Sequence, residues 1–375
     1  MSRSVSLPEV LDKIERFEFS DPISQEQPLV VYGAGGFGRD VAQTLRGQGR
    51  SLIGFLDRRG AKEVDAIPCR SPEEDLSDWV KMGAIVLIGL HNYQVNPLAV
   101  RSELYARGFR RVLLPVEYYH RVEGPMGVRY WLGNQGIYRK HLAEFDKVFS
   151  LLADDKSKSI LLSTLAYRAL GDADAHPWAE PDQAYFPEDI PRWSEPLNWV
   201  DGGACDGDSL RAFPTDRYKC KNIYAFEPDP VNFEKLQSAI RIFESKMPEA
   251  KIESWAAGLG KQKGTLKFKT GLGLGSAAAV DGETTCSIVC LDEVLKDRPV
   301  NLIKLDIEGA EPEALLGAQQ IIREQEPGLA ICIYHKPEHL WEIPLVFAQR
   351  HPDYRFYLRC HGQSSFDLVL YAIPS

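Results

Sequence analysis

The chain predicts an α/β protein of two parallel-sheet domains joined by a helical connector, and three observations carry that reading. Its 375 residues exceed the size at which a single core usually keeps growing. Two glycine-rich turns, around residues 35 and 203, each follow a short apolar run of strand length. In the second half, Asn198-Trp-Val-Asp201, Ile223-Tyr-Ala-Phe-Glu227 and Leu302-Ile-Lys-Leu-Asp306 are apolar strands that each end in a carboxylate. Ligands of open α/β sheets bind beyond the carboxyl ends of the strands, so three polar ends in one segment place a site there.

Bulk properties narrow the class. The balance of 44 Lys plus Arg against 53 Asp plus Glu gives a net charge of -9, the wrong sign for a nucleic-acid footprint, and no block of basic residues supplies a local one. The longest apolar runs, such as Ala84-Ile-Val-Leu-Ile88, are far short of a membrane span. The start, Met1-Ser-Arg-Ser-Val-Ser6, lacks the apolar core of a secretory signal. Seven cysteines form no framework spacing, and Cys286 with Cys290 has no second pair to complete a zinc site. Reduced thiols in a cytoplasmic enzyme are the simplest account.

In chain order, Leu7, Val10, Leu11, Ile14 and Phe17 recur at helical spacing before Pro22 and Pro28, so residues 1–27 read as an amphipathic helix and linker. Residues 28–118 then alternate: strand 29–32, glycine turn, helix to about 46, strands 52–56 and 84–88, helix 97–106 and strand 111–114, a small parallel domain. From 119 to 196 the pattern turns helical, through Phe145, Val148, Phe149, Leu151 and Leu152 and then Ile160, Leu161, Leu165 and Leu170, and ends in proline-rich text between Pro177 and Pro196. Residues 197–375 supply strands near 198–201, 222–227, 251–256, 301–306, 329–334, 354–359 and 366–372. The last two are separated by a short loop without helical pattern, which predicts an antiparallel hairpin.

A seven-stranded sheet with a terminal hairpin and an acidic glycine turn after its first strand resembles the class I methyltransferase fold, a Rossmann-like architecture. Asp201, Gly203 and Gly207 fit that family's first motif, and Asp306-Ile-Glu-Gly-Ala-Glu311 resembles the signature of the FkbM methyltransferases. Tyr185-Phe-Pro-Glu188, Leu291-Asp-Glu293 and Val369-Leu-Tyr-Ala-Ile373 extend the likeness in the right order across the second half of the chain. The resemblance implies an enzyme that methylates hydroxyl groups with S-adenosylmethionine. Asp201, Gly203, Ala204, Cys205, Gly207 and Glu227 would hold the cofactor, with Glu227 on the ribose hydroxyls and Trp255 a candidate to cover the adenine. Cys205 stands where many relatives carry glycine, which narrows the space beside the cofactor.

The residues support this apart from the name. Glycines at 202, 203 and 207 let the backbone approach a ligand closely, and a carboxylate ending the second strand commonly accepts bonds from a ribose diol. A sugar hydroxyl is a poor nucleophile, and a positioned base contributes about 10²- to 10⁴-fold. Asp306, Glu308, His335 and His361 all fall on the predicted ligand face and are the candidates. His335 is attractive because imidazole is largely neutral at working pH. Tyr185 is placed with the substrate-side residues, and Asp306 with Glu308 offers hard oxygen ligands for a Mg²⁺.

In the first domain, Gly33, Gly35 and Gly38 fit G-x-G-x-x-G directly after a strand, with Asp57 about 20 residues on. The unit spans only roughly one mononucleotide half of a dinucleotide fold. No Tyr-x-x-x-Lys occurs in the chain, which counts against an NAD(P)-dependent oxidoreductase or epimerase. The Gly-Ala-Gly-Gly-Phe-Gly and Gly-Phe-x-Asp patterns are similar to nucleotide-sugar-binding domains that precede certain sugar acyltransferases. That likeness implies a nucleotide or nucleotide-sugar near Gly33, Gly35, Phe37 and Asp57, with His91-Asn92 lining the same crevice. A small-molecule sugar acceptor, free or nucleotide-linked, is the partner expected. The alternatives are a non-catalytic nucleotide-binding scaffold, or a fold kept for docking within a homo-oligomer.

Overall fold

A computed structural model describes residues 6–18, 23, 26–60, 62–133, 135–268 and 284–375. Contacts divide the chain into two compact units. The first holds Met1–Asp146, Ser159–Ala179 and Gly362–Phe366, and the second holds Lys147–Lys158, Glu180–His361 and Asp367–Ser375. The expected connector is therefore shared between the units. Its helices are Leu142–Leu151 and Asp155–Leu170, close to where the apolar spacing put them.

In the first unit the helix Leu7–Arg16 buries Leu7, Val10 and Ile14. It opens with a reciprocal cap in which the Ser6 N–H donates to the Glu9 carboxylate at 2.9 Å. Six strands follow: β1 (Leu29–Tyr32), β2 (Leu52–Leu56), β3 (Glu63–Val64), β4 (Ile67–Arg70), β5 (Ile85–Ile88) and β6 (Val112–Leu113). They form one sheet in the order β3-β4-β2-β1-β5-β6. β1 pairs in parallel with β2 and β5, and both β1 and β5 are apolar and buried throughout, as a central parallel strand requires. The β3–β4 hairpin was not expected. Its turn residues Asp65 and Ala66 both have positive φ, 52° and 59°, without the Asn-Gly or Asp-Gly pair that announces such a turn.

The second unit is built on β7 (Leu197–Gly202), β8 (Cys220–Phe226), β9 (Lys251–Trp255), β10 (Ala257–Leu259), β11 (Gly264–Phe268), β12 (Thr284–Val289), β13 (Leu302–Leu305), β14 (Gly328–Cys332), β15 (Tyr354–Cys360) and β16 (Leu368–Pro374). Seven of them make the main sheet in the order β15-β16-β14-β13-β7-β8-β9. β16 runs antiparallel to both β14 and β15, and the other adjacent pairs are parallel. Sequence order reverses between β7 and β13, which creates the switch point where such sheets bind ligands. β10, β12 and β11 form a separate three-stranded sheet that the alternation pattern did not reveal. The long helix Pro230–Lys246 starts sharply because Asp229 Oδ1 accepts from the N–H groups of Val231 and Asn232, with proline at its first position.

Candidate active site

The glycine turn after β7 is pinned to its neighbours by backbone. The N–H groups of Gly203 and Ala204 both donate to Phe226 O at 3.0 Å, and Asp306 N donates to Gly202 O at 3.1 Å. Gly203 has φ of 72°, and a Cβ there would lie 1.9 Å from the Asp306 carbonyl oxygen. Gly207 has φ of 85° and packs on the Pro230–Lys246 helix, where a Cβ would meet that of Ala239 at 2.3 Å. Both positions demand glycine for close approach and for left-handed backbone.

Beneath the turn, Asp201 and Lys304 form a buried ion pair, Nζ to Oδ1 3.0 Å, and the same ammonium donates to Gly203 O at 2.6 Å. Burial alone would lower the Lys304 pKa, but the Asp201 carboxylate outweighs it and raises the lysine above its usual value. Ser209 Oγ donates to the other Asp201 oxygen. Asp201 therefore serves the turn rather than facing the cleft. Lys304 escaped the sequence reading, although a lysine inside the apolar run Leu302-Ile-Lys-Leu305 was itself a sign of a buried partner.

Glu227, just past β8, is buried and reaches back to the turn. Its Oε2 accepts from Cys205 N and its Oε1 from Asp229 N, both at 2.8 Å. Burial raises its carboxyl to about 7 despite those bonds. Trp255, at the end of β9, lies parallel to Phe226 with ring centroids 4.7 Å apart. Cys205 takes positive φ at 47°, and burial pushes its thiol up to about 12, so it is a neutral group in the turn.

After β13 the signature folds into a charged knot. His335, following β14, sets Nδ1 2.9 Å from Glu311 Oε1, and its Nε2 lies 3.3 Å from Asp306 Oδ1 and 3.7 Å from Glu308 Oε2. Burial would lower the imidazole pKa, but the Glu311 charge and the bonds to Asp306 and Glu311 raise it well above the usual value. That shift favours the charged ring beside Asp306 and Glu311, the opposite of the neutral form that made His335 attractive as a base. Asp306 also accepts from Tyr185 OH at 2.8 Å and from Tyr334 OH at 3.2 Å. Against burial, the hydrogen bond and charge of His335 hold its carboxyl below the ordinary range. Burial lifts Glu308 to about 8, and Asp367, whose carboxyl interacts with Tyr334 and Asp306, to about 7. Tyr185, Glu308 and Asp367 all hold positive φ, 65°, 55° and 48°. Tyr334 and Asp367 carried no sequence signal.

His361 sits apart from that knot. Its Nδ1 is 2.8 Å from Glu180 O and its Nε2 2.7 Å from Tyr371 OH, the hydroxyl that also accepts from Tyr185 N. Both nitrogens are engaged, burial lowers the ring to about 4, and its geometry braces Tyr185. Among the described residues, no group of three or more His, Cys, Asp or Glu side chains is arranged to hold a metal ion, so the Mg²⁺ expectation gains no support.

In the first unit, Asp57 is nearly buried and saturated. Its Oδ2 accepts from Ala34 N at 2.7 Å and from Arg59 Nη2 at 2.8 Å, and its Oδ1 from Arg59 N and Nε at 2.8 and 2.9 Å. The Arg59 hydrogen bond holds this carboxyl well below the ordinary range. Gly38 packs its helix onto the turn, since a Cβ there would lie 1.9 Å from Gly33 O. Around Gly35 and Gly36 the space is open, as a Cβ added at either would meet nothing within 4 Å. Phe37 packs between His91 and Tyr119, with centroids at 5.4 and 6.1 Å, while Asn92 Oδ1 caps its own loop by accepting from Gln94 N and Val95 N.

A seven-stranded sheet with an antiparallel last strand, an acidic glycine turn after its first central strand and a carboxylate closing the next defines a methyltransferase-type unit. Residues 201–364 match the methyltransferase FkbM domain, and residues 28–95 match the PglD N-terminal domain. Residues 201–364 thus carry a methyltransferase FkbM domain, and residues 28–95 carry a PglD N-terminal domain. Its fold is similar to that of the methyltransferase FkbM from Methylobacillus flagellatus KT, with a TM-score of 0.78 over 98% of each chain at 22% identity. No curated protein matches the sequence. Among the described residues, no helix is long and apolar enough to cross a membrane.

Proposed function

We propose that the chain is an S-adenosylmethionine-dependent O-methyltransferase whose acceptor is a sugar hydroxyl, with the first unit recognising a nucleotide-linked form of that sugar. One observation carries the cofactor assignment: Glu227 and the Gly203–Gly207 turn, 22 residues apart at Cys205, are locked together by the Cys205 N–H bond. A carboxylate that ends the second strand beside a glycine turn is the arrangement that receives a ribose diol. The residues fit the group. The glycine turn leaves backbone where side chains would intrude, Glu227 offers acceptors, and Trp255, stacked on Phe226 at the end of β9, offers an aromatic group for the adenine. When bound, S-adenosylmethionine supplies an activated methyl group on a sulfonium.

The chain's own residues supply alignment and a proton acceptor, of which alignment is the larger contribution. Glu308 is the base assigned. Its raised carboxyl lies near working pH, whereas Asp306 is committed to Tyr185, Tyr334 and His335. Glu308 Oε2 would take the proton released by the acceptor hydroxyl, the methyl coming from the sulfonium, whose carbon–sulfur bond breaks to leave a neutral thioether, and the nearby His335 ring would limit the charge change. The nucleotide-sugar reading is supported by the PglD N-terminal match and by the open space at Gly35 and Gly36.

The test is native mass spectrometry of the whole chain with S-adenosylmethionine and a panel of nucleotide sugars. Two different ligands bound at once, with a mass gain of one methyl on one sugar, is the expected result. Failure to bind S-adenosylmethionine overturns the cofactor assignment, and methylation of a non-sugar hydroxyl overturns the acceptor.

A further inference from the structure

The turn after β13 sets two left-handed residues side by side, Glu308 with φ of 55° and Gly309 with φ of 97°. Such backbone is unfavourable for a residue that carries a side chain, so Glu308 keeps it only because surrounding contacts impose it. Glu311, which closes the Asp306–Glu311 stretch, supplies them. As the first residue of the helix Glu311–Leu316 it reaches back over the turn, where its Oε1 accepts from Ile307 N at 2.9 Å and from Gly309 N at 3.3 Å. A Cβ at Gly309 would lie 2.8 Å from Lys336 Cε, so glycine there also leaves room for the turn to close on the segment after β14.

The same carboxylate meets two rings from beyond β14. His335 Nδ1 stands 2.9 Å from Oε1 and His339 Nδ1 3.4 Å from Oε2, and all three side chains are buried. Holding an imidazole at Nδ1 fixes the direction of its other nitrogen. That nitrogen lies 3.3 Å from Asp306 Oδ1 and 3.7 Å from Glu308 Oε2. Burial opposes a charge on Glu311, but His335 and the bonds around it outweigh burial and hold the carboxyl below its ordinary value. One buried carboxylate therefore meets both the backbone that carries Glu308 and the ring that faces Glu308.

We propose that Glu311 is a positioning residue of the methyl-transfer site, setting the Glu308 carboxyl and the His335 ring against each other without touching the substrate. The proposal rests on the assignment of Glu308 as the base and goes beyond it by naming the group through which that base is placed. A misplacement of about 1 Å at a reacting group can cost about 10²-fold in rate, so a residue that fixes both partners acts on turnover rather than on cofactor binding.

The test is a double-mutant cycle on the whole chain, with S-adenosylmethionine and pooled nucleotide sugars as the probe and release of S-adenosylhomocysteine as the readout. Glu311→Gln keeps an acceptor oxygen for the Ile307 and Gly309 N–H groups and removes the charge. It should slow turnover about tenfold to a hundredfold, with the thermal transition and the affinity for S-adenosylhomocysteine at wild-type values. The double variant Glu308→Gln with Glu311→Gln should be no slower than Glu308→Gln alone, because the second change has nothing left to position. Losses that multiply in the double variant would show that Glu311 acts apart from Glu308, and an equal loss of S-adenosylhomocysteine affinity would show that it only supports the fold; each overturns the proposal. Heteronuclear NMR of isotopically labelled histidines needs no acceptor. The His335 ring signals, assigned by their absence in His335→Asn, should move in Glu311→Gln, and unmoved signals would overturn the proposal as well. Turnover at the wild-type rate in Glu308→Gln would instead defeat the base assignment beneath it.

Discussion

Lys304 Nζ stands 3.0 Å from Asp201 Oδ1 with both side chains buried, so a single ion pair joins the ends of the two strands that flank the switch point. Through its 2.6 Å bond to Gly203 O, the lysine also fixes the carbonyl of the turn. Removing one partner of such a pair leaves the other charge buried and alone. Lys304→Met should cost about 3 to 5 kcal/mol of stability in urea unfolding, and Asp201→Asn on the same background should restore part of it. A single variant as stable as the wild type would show that the pair contributes nothing.

Glu227 accepts from two backbone N–H groups and still carries a carboxyl raised to about 7 by burial. Only its ionised form can accept both hydroxyls of a ribose. Affinity for S-adenosylhomocysteine should therefore fall as pH drops below about 7 and level off above it. Glu227→Gln should abolish this dependence and Glu227→Ala should weaken binding about tenfold or more. Calorimetry across pH 5.5 to 8.5 decides it (the range is about three units around that midpoint), and a flat profile for the wild type would remove Glu227 from the ribose.

Glu308, raised to about 8, must lose its proton before it can accept one. Methyl transfer should rise with pH through about 8 and then level off, and Glu308→Gln should slow the reaction about 10²-fold or more with binding of S-adenosylhomocysteine unchanged. An unchanged rate in that variant would return the role of base to another group.

His335 has the opposite sign. Its folded pKa lies well above the unfolded value near 6.5, so its ion pairs stabilise the fold fully below that value, and the contribution is lost as pH rises through the folded pKa. His335→Asn should therefore cost more stability at pH 6 than at pH 10 in urea titrations. Equal losses at both would mean that the ring is neutral in the folded chain.

The Gly203 position is a steric limit. Alanine there would put its Cβ 1.9 Å from the Asp306 carbonyl and force left-handed backbone on a substituted residue. Gly203→Ala should destabilise by roughly 1 to 3 kcal/mol or more and abolish S-adenosylhomocysteine binding. Retained binding in thermal-shift assays would show that the turn is not the cradle.

What could be read ahead of the structure was whatever depends on local pattern. The apolar runs at β7, β8 and β13 and the glycine turn announced themselves, because strand ends and tight turns impose residue types on their own stretch of chain. The sheet of β10, β11 and β12 did not, since Ala257–Leu259 is too short to establish a period and is broken by glycine. The charge state of His335 was also out of reach. A histidine after a strand looks neutral in one dimension, and only the approach of Glu311, Asp306 and Glu308 from another part of the chain makes it a cation. Asp57 is legible from its spacing after the glycine turn, whereas the hold of Arg59 on its carboxylate depends on the local fold of residues 57–59.

Neither unit is a continuous length of chain. The polypeptide changes unit after Asp146, Lys158, Ala179, His361 and Phe366, five times in all. A gene fragment that begins at the first strand of the methyltransferase sheet would omit a helical segment of its own unit and carry a five-residue piece of the other. A single splice therefore cannot exchange either unit whole, because each is assembled from three separate stretches of chain.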